Sequence, residues 1–205
     1  MHWELFLRGL IIGFAIAAPV GPIGMLVIRR TLADSRLLGL LTGLGAAVAD
    51  SFYGCVGAFG LTVISGFLMS YAFWTKLIGG LFLMWLGINT FRAKPRAENV
   101  SSSKVRYATA FLSTLALTLA NPATILSFMA VFAGLGLGMK AGDYGAAGIV
   151  VAGVFLGSAA WWLLLSGGVA RVRHKLKPET LRWINYGSGA SLSAFGVYAL
   201  VSLAL

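Results

Sequence analysis

Long apolar stretches alternate with short basic segments along the whole chain. An α-helix rises ~1.5 Å per residue, so a hydrocarbon core of ~30 Å takes about 20 residues to cross. On that measure the apolar stretches predict six membrane-spanning helices, at residues 5–28, 37–59, 73–91, 107–132, 146–170 and 183–203. Residues 60–72 are expected to overhang the second span or to turn at the interface. Between Arg36 and Arg92 the only charged residues are Asp50 and Lys76. Both basic ends of that segment belong on one side of the bilayer, which requires an even number of crossings.

Two of the six spans are interrupted. In the first, Ala17-Ala18-Pro19-Val20-Gly21-Pro22-Ile23-Gly24 packs two prolines and two glycines around the point where a spanning helix would continue. Each proline removes a backbone donor and clashes with the carbonyl one turn back, and glycine loosens the chain further. The fourth span carries a weaker break at Asn121-Pro122-Ala123-Thr124, with Pro122 lying 103 residues after Pro19. Non-helical backbone at membrane depth is tolerated only where it faces protein or a water-filled cavity. Paired interruptions in corresponding spans of two halves point to the binding site of a transporter; the alternative is that both are packing kinks.

Composition sharpens this reading. Of the 205 residues 59% are hydrophobic and 11% charged, against about 25% charged in a typical soluble domain. The chain is therefore expected to be an integral membrane protein. Its net charge of +10 would suit a nucleic-acid partner, but 13 of the 16 basic residues fall in three short segments, at 29–36, 92–106 and 171–182. They form no single patch, so nucleic acid is not expected as a partner. Placed on the cytoplasmic side, these segments put both termini in the periplasm. Ala15-Ile16-Ala17 resembles a signal-peptide cleavage site, but Arg29 and Arg30 just beyond the span argue that it is retained. Cys55 is a lone cysteine, and His2 and His174 lie at the terminus and in a loop. No thiol relay, metal site, cofactor or enzymatic activity is expected.

Spacing also suggests an internal repeat. Gly80, Leu83 and Gly87 match Gly189, Leu192 and Gly196 at an offset of 109, and Gly45 matches Gly153 at 108. Three spans per half require the halves to insert in opposite orientations. The fold class expected is thus an all-α integral membrane protein, six transmembrane helices in a 3+3 inverted repeat with broken first and fourth helices. It forms one membrane domain, 1–205, with half-repeats of about 1–92 and 106–205 joined by a cytoplasmic loop at 92–106. Such repeats hold a shared site near the bilayer midplane. Gly39-x3-Gly43 and Gly153-x3-Gly157 read as close helix packing.

Few polar residues lie inside the spans. Asp50 sits about 20 Å along its helix from Leu37, the only acidic side chain well within a span. A charge there costs ~2.5–3.5 kcal/mol on insertion scales, so it is expected to face the cavity. It suits a proton carrier or a partner for a substrate ammonium; the structural alternative is a carboxylate bonded to a neighbouring helix. Tyr53, three residues on, shares its face. Asn121 offers donors and acceptors beside a proline-freed carbonyl, for substrate or for its own broken helix. Trp161 or Trp162 could wall the cavity, or simply pack.

These residues resemble the lysine exporter (LysE/RhtB-type) family of bacterial amino-acid exporters. The likeness rests on Pro19-Val20-Gly21-Pro22, on residues 39–53 with Asp50, on Gly79-Gly80-Leu81-Phe82-Leu83-Met84-Trp85-Leu86-Gly87, on Asn121-Pro122 and on residues 187–200. It covers nearly the whole chain, and the order of the pieces is its specific feature. The resemblance implies a secondary exporter of an amino acid or derivative in the inner membrane, driven by proton antiport. The family's functional aspartate and Asn-Pro positions would carry over to Asp50 and to Asn121 with Pro122. Ala123 departs from the family's lysine and Gly24 from its more usual polar or small residue, which bears on substrate identity. The expected site is Asp50, Asn121, Pro122, Pro19, Gly21, Pro22, Tyr53 and Trp161. The expected partners are a small-molecule substrate and the bilayer, with a homo-oligomer left open. A neutral amino acid is favoured, because a single intramembrane carboxylate poorly serves both a proton and a cationic side chain. The alternatives are a metal-ion exporter of related architecture, for which too few ligands lie in the spans, and a non-transporting membrane subunit.

Overall fold

The computed structural model describes residues 2–19, 21–58, 70–92, 104–121, 124, 127–128, 143–173 and 178–203. Among them are seven helices and no strand: α1 (His2–Ala17), α2 (Pro22–Ala33), α3 (Arg36–Ala58), α4 (Ala72–Arg92), α5 (Lys104–Leu119), α6 (Tyr144–Arg173) and α7 (Pro178–Val201). Among the described residues, α3 and α6 are each long and apolar enough to cross a membrane, and α1 and α2 pass the same test only together, as a pair bent by 78° that is a broken span or a re-entrant loop. The bend follows from the chain. α1 ends at Ala17, and Gly21 caps α2 without a side-chain bond. Pro22 opens α2 at the position where a missing N–H is harmless. Side-chain caps start two other helices. The Ser35 hydroxyl accepts the Leu38 N–H at 3.1 Å, and an Asp143 carboxylate oxygen accepts the Ala146 N–H at 3.1 Å.

Missing side chains, more than large ones, set the helix pairs. α1 runs parallel to α6. A Cβ on Gly153 would lie 2.8 Å from the Leu10 nitrogen, and one on Gly157 2.9 Å from the Phe14 nitrogen. α4 runs antiparallel to α7, with Gly87 against the Gly189 carbonyl at 2.8 Å and Gly196 against the Gly80 carbonyl at 2.8 Å, again measured from an added Cβ. These are backbone-to-backbone approaches of the small-residue type that drive association where water is absent. α3 sits centrally against α2, α5 and α6. Three apolar clusters fill the joints, around Tyr53 and Val154, around Val27 and Trp162, and around Leu26 and Leu192. Trp3, Ile11, Ile78, Trp85 and Leu164 point outward, as lipid-facing positions do.

The arginines gather several helix ends at one face. Arg30 of α2 donates to the Thr42 hydroxyl at 2.9 Å, the Ala110 carbonyl at 3.1 Å, and Thr114 and Ser113 at 3.3 Å. Arg106 pairs with Asp34. The Arg173 Nε–H donates to the Leu32 carbonyl at 3.1 Å. One guanidinium therefore satisfies acceptors on α3 and α5 together, as its fork of donors permits.

Candidate functional site

Two loci stand out, one holding Asp50 and Tyr53 and the other Pro22 and Asn121. At the first, α3 crosses α6. The Ser158 hydroxyl donates to Asp50 Oδ2 at 2.7 Å, and the Trp162 indole N–H donates to Ser158 Oγ at 3.1 Å. Asp50 is 4% exposed. The relay fits because Gly43 has no side chain: a Cβ there would meet Trp162 Cδ2 at 3.0 Å. The sequence placed Asp50 on a cavity; in the structure its carboxylate lies in a helix contact, held by a hydroxyl from the other half of the chain. Tyr53, one turn on, donates its hydroxyl to the Leu119 carbonyl at 2.6 Å. That carbonyl belongs to the last turn of α5, where orphan acceptors need partners.

The second locus is a cavity of ≈ 360 Å³ between α2, α4, α5 and α7, lined by Pro22, Ile23, Lys76, Gly79, Gly80, Leu83, Leu117, Ala120, Asn121, Phe195, Tyr198, Ala199 and Ser202. Its volume lies at the low end of the ~300–1,000 Å³ typical of small-molecule sites. Pro22 and Asn121, one from each stretch that the sequence reads as an interruption, both line its wall. Gly21 donates its N–H to the Pro19 carbonyl at 2.9 Å, closing a tight turn just before α2, and Pro19 itself is exposed. Pro122 lies outside the described residues. Trp161 does not line the cavity; it packs edge-on against Phe14 of α1, ring centroids 5.3 Å apart at 80°. Tyr53 links the two loci, since the carbonyl it holds is two residues before Asn121.

Sequence reading did not assign Ser158, Trp162 as a hydrogen-bonding residue, Lys76, Tyr198 or Ser202. One signal was available for Ser158, which follows Asp50 by the same 108 residues that separate Gly45 from Gly153. Among the described residues no three His, Cys, Asp or Glu side chains converge as a metal site would require.

The chain is similar in sequence to several known proteins. YcgF of Bacillus subtilis is 28% identical over 95% of this chain and 94% of its own length. The threonine efflux protein of Escherichia coli is 27% identical over 97% of this chain and 98% of its own. The lysine exporter LysE of Corynebacterium glutamicum is 25% identical over 95% and 97%. No solved structure matches the chain. The LysE type translocator family matches residues 14–203, and with its helix-broken membrane fold the chain belongs to that family of transporters.

Proposed function

We propose that this chain exports an amino acid or amino-acid derivative across the bacterial inner membrane in exchange for protons. The observation that carries the reading is the cavity that Pro22 and Asn121 both line, in a chain of the LysE family. Relatives named for threonine efflux and lysine export support the substrate class. Asn121 and the backbone freed by Pro22 and Pro122 hold the substrate. Asp50 carries the proton, and Tyr53 couples its helix to the broken end of α5. Gly21 and Pro19 shape the first break, with Trp161 bracing α1 above it.

The same reading takes the chain as one multi-pass domain of six spans, half-repeats at about 1–92 and 106–205, with periplasmic termini. Contacts support the inverted repeat. Beside an added Cβ, Gly87 meets the Gly189 oxygen and Ser193 nitrogen at 2.8 and 2.7 Å, while Gly196 meets the Gly80 oxygen and Met84 nitrogen at 2.8 and 2.9 Å. Every residue in the second set stands 109 positions from its counterpart in the first. Gly45 likewise abuts the Phe111 oxygen and Leu115 nitrogen, and Gly153 the Phe6 oxygen and Leu10 nitrogen.

The test is release of a panel of radiolabelled amino acids from loaded cells, with and without the protein. One amino acid or a small group should leave faster when the protein is present, and faster still with an inward proton gradient. If none does, the exporter reading is wrong.

A further inference from the structure

Lys76 lies inside the membrane domain yet has no place in the account above. Its Nζ approaches the Ser202 carbonyl at 3.5 Å, a long contact with a neutral acceptor. Among the described residues it is the only charged side chain lining the cavity. Among the described residues the one ion pair is Arg106 with Asp34, so no carboxylate described there neutralises Lys76. Lys76 is half-buried, and a cation placed in a span is costly.

The repeat adds an independent observation. Its 109-residue offset carries Lys76 onto Asn185, a neutral amide that is 2% exposed, just as it carries Gly80 onto Gly189 and Leu83 onto Leu192. The glycines and the leucine that pack α4 on α7 are thus kept in both halves, and the ammonium is not. Packing of this helix pair does not require a cation at Lys76. Next to it Gly79 adds no side chain to the wall, with Ala120 its nearest neighbour at 3.8 Å from an added Cβ, while Leu83, Leu117 and Phe195 supply an apolar surface.

From this cavity, and resting on the exporter reading, we propose that Lys76 is a specificity-determining residue that binds the carboxylate of the exported amino acid. The apolar wall then receives the side chain, and an amino-acid amide, lacking the anion, is a poor substrate. A lysine that merely extends along the surface to reach water would make no such distinction.

Equilibrium exchange in proteoliposomes tests this, because equal concentrations on both faces make the orientation of the protein immaterial. Each of the twenty labelled amino acids is tried with the wild-type chain, and for those exchanged the corresponding amide is tried as well. Lys76→Gln should raise KM by about 10- to 100-fold, the worth of one charge-assisted hydrogen bond, with the maximal rate retained. Lys76→Arg should stay within a few fold of wild type. The wild-type protein should exchange the free acid and not the amide, a readout that needs no variant to fold. Equal exchange of acid and amide, or an unchanged KM in Lys76→Gln, overturns the carboxylate subsite alone. Absence of exchange for all twenty in the wild type overturns the exporter reading and the subsite with it.

Discussion

Asp50→Asn replaces a carboxylate by an amide of nearly the same shape, and the structure allows its consequences to be separated. The Asn Oδ1 can still accept the Ser158 hydroxyl that now reaches Oδ2 at 2.7 Å. A hydrogen bond to a charged group contributes ~1.5–3 kcal/mol and a neutral one ~0.5–1.5, so about 1 kcal/mol is lost at this contact. Against it, the substitution removes an intramembrane carboxylate whose insertion costs ~2.5–3.5 kcal/mol. The two effects oppose each other, and membrane abundance should stay at the wild-type level. Ser158→Ala does the opposite. It leaves the carboxylate without its donor and the Trp162 indole without its acceptor, at ~1–3 kcal/mol for each group left unsatisfied. Efflux from proteoliposomes at a series of imposed pH gradients, normalised to protein content, separates the cases. Under the proton-carrier hypothesis Asp50→Asn loses the acceleration by an inward proton gradient and keeps its exchange KM. If Asp50 instead holds the substrate ammonium, KM rises as well. Efflux from Asp50→Asn that still responds to the gradient as wild type does would refute both roles.

Gly45→Ala and Gly153→Ala should each lower the unfolding temperature of the detergent-solubilised protein. Their Cβ atoms fall against main-chain atoms that cannot rotate away, and overpacking costs ~1–3 kcal/mol; Gly148→Ala, with nothing within 4 Å, serves as the control, and three equal melting curves would disprove the packing argument. Pro22→Ala and Asn121→Ala should reduce export at normal abundance, since both line the cavity; wild-type export in both would make the breaks packing features. Reporter fusions near Arg36, Arg96 and Lys175 should read cytoplasmic and a fusion at the carboxyl terminus periplasmic. A cytoplasmic carboxyl terminus would be incompatible with the proposed inverted repeat.

The helices and the first break were legible because their causes are local. The proline-glycine cluster removes donors wherever the chain places it, and α1 does end at Ala17 with α2 beginning at Pro22. The second span was expected at 37–59, and α3 covers Arg36–Ala58. The partner of Asp50 was not legible. A serine within a helix usually bonds the carbonyl four residues back, as Ser51 does to Ala47, and nothing local distinguishes Ser158 from it. Trp161 and Trp162 differ by one position, which is about 100° around the helix. One therefore meets Phe14 and the other Gly43 and Ser158, a choice that needs the helix face to be known. Lys76 was visible as a charge. Its meaning depends on a cavity drawn from four helices distant in sequence.

The contact between Asp50 and Ser158 also bears on how many protons such a site can move. Residues on the axis of a two-fold repeat meet their own counterparts. Asp50 and Ser158 are separated by the 108-residue offset that relates Gly45 to Gly153, and they hydrogen-bond to each other. A strictly symmetric pair would set two carboxylates in contact, and two such groups cannot both ionise at that range. If the proposed repeat holds, serine in the second half leaves one ionisable group at this contact, with a donor already turned towards it. Under the proposed repeat, the hypothesis is one proton per transport cycle at this locus, and a measured ratio of two would require another carrier. The asymmetry parallels that of Lys76 and Asn185. In both places the halves share the packing residues, while the charged group appears in the first half alone.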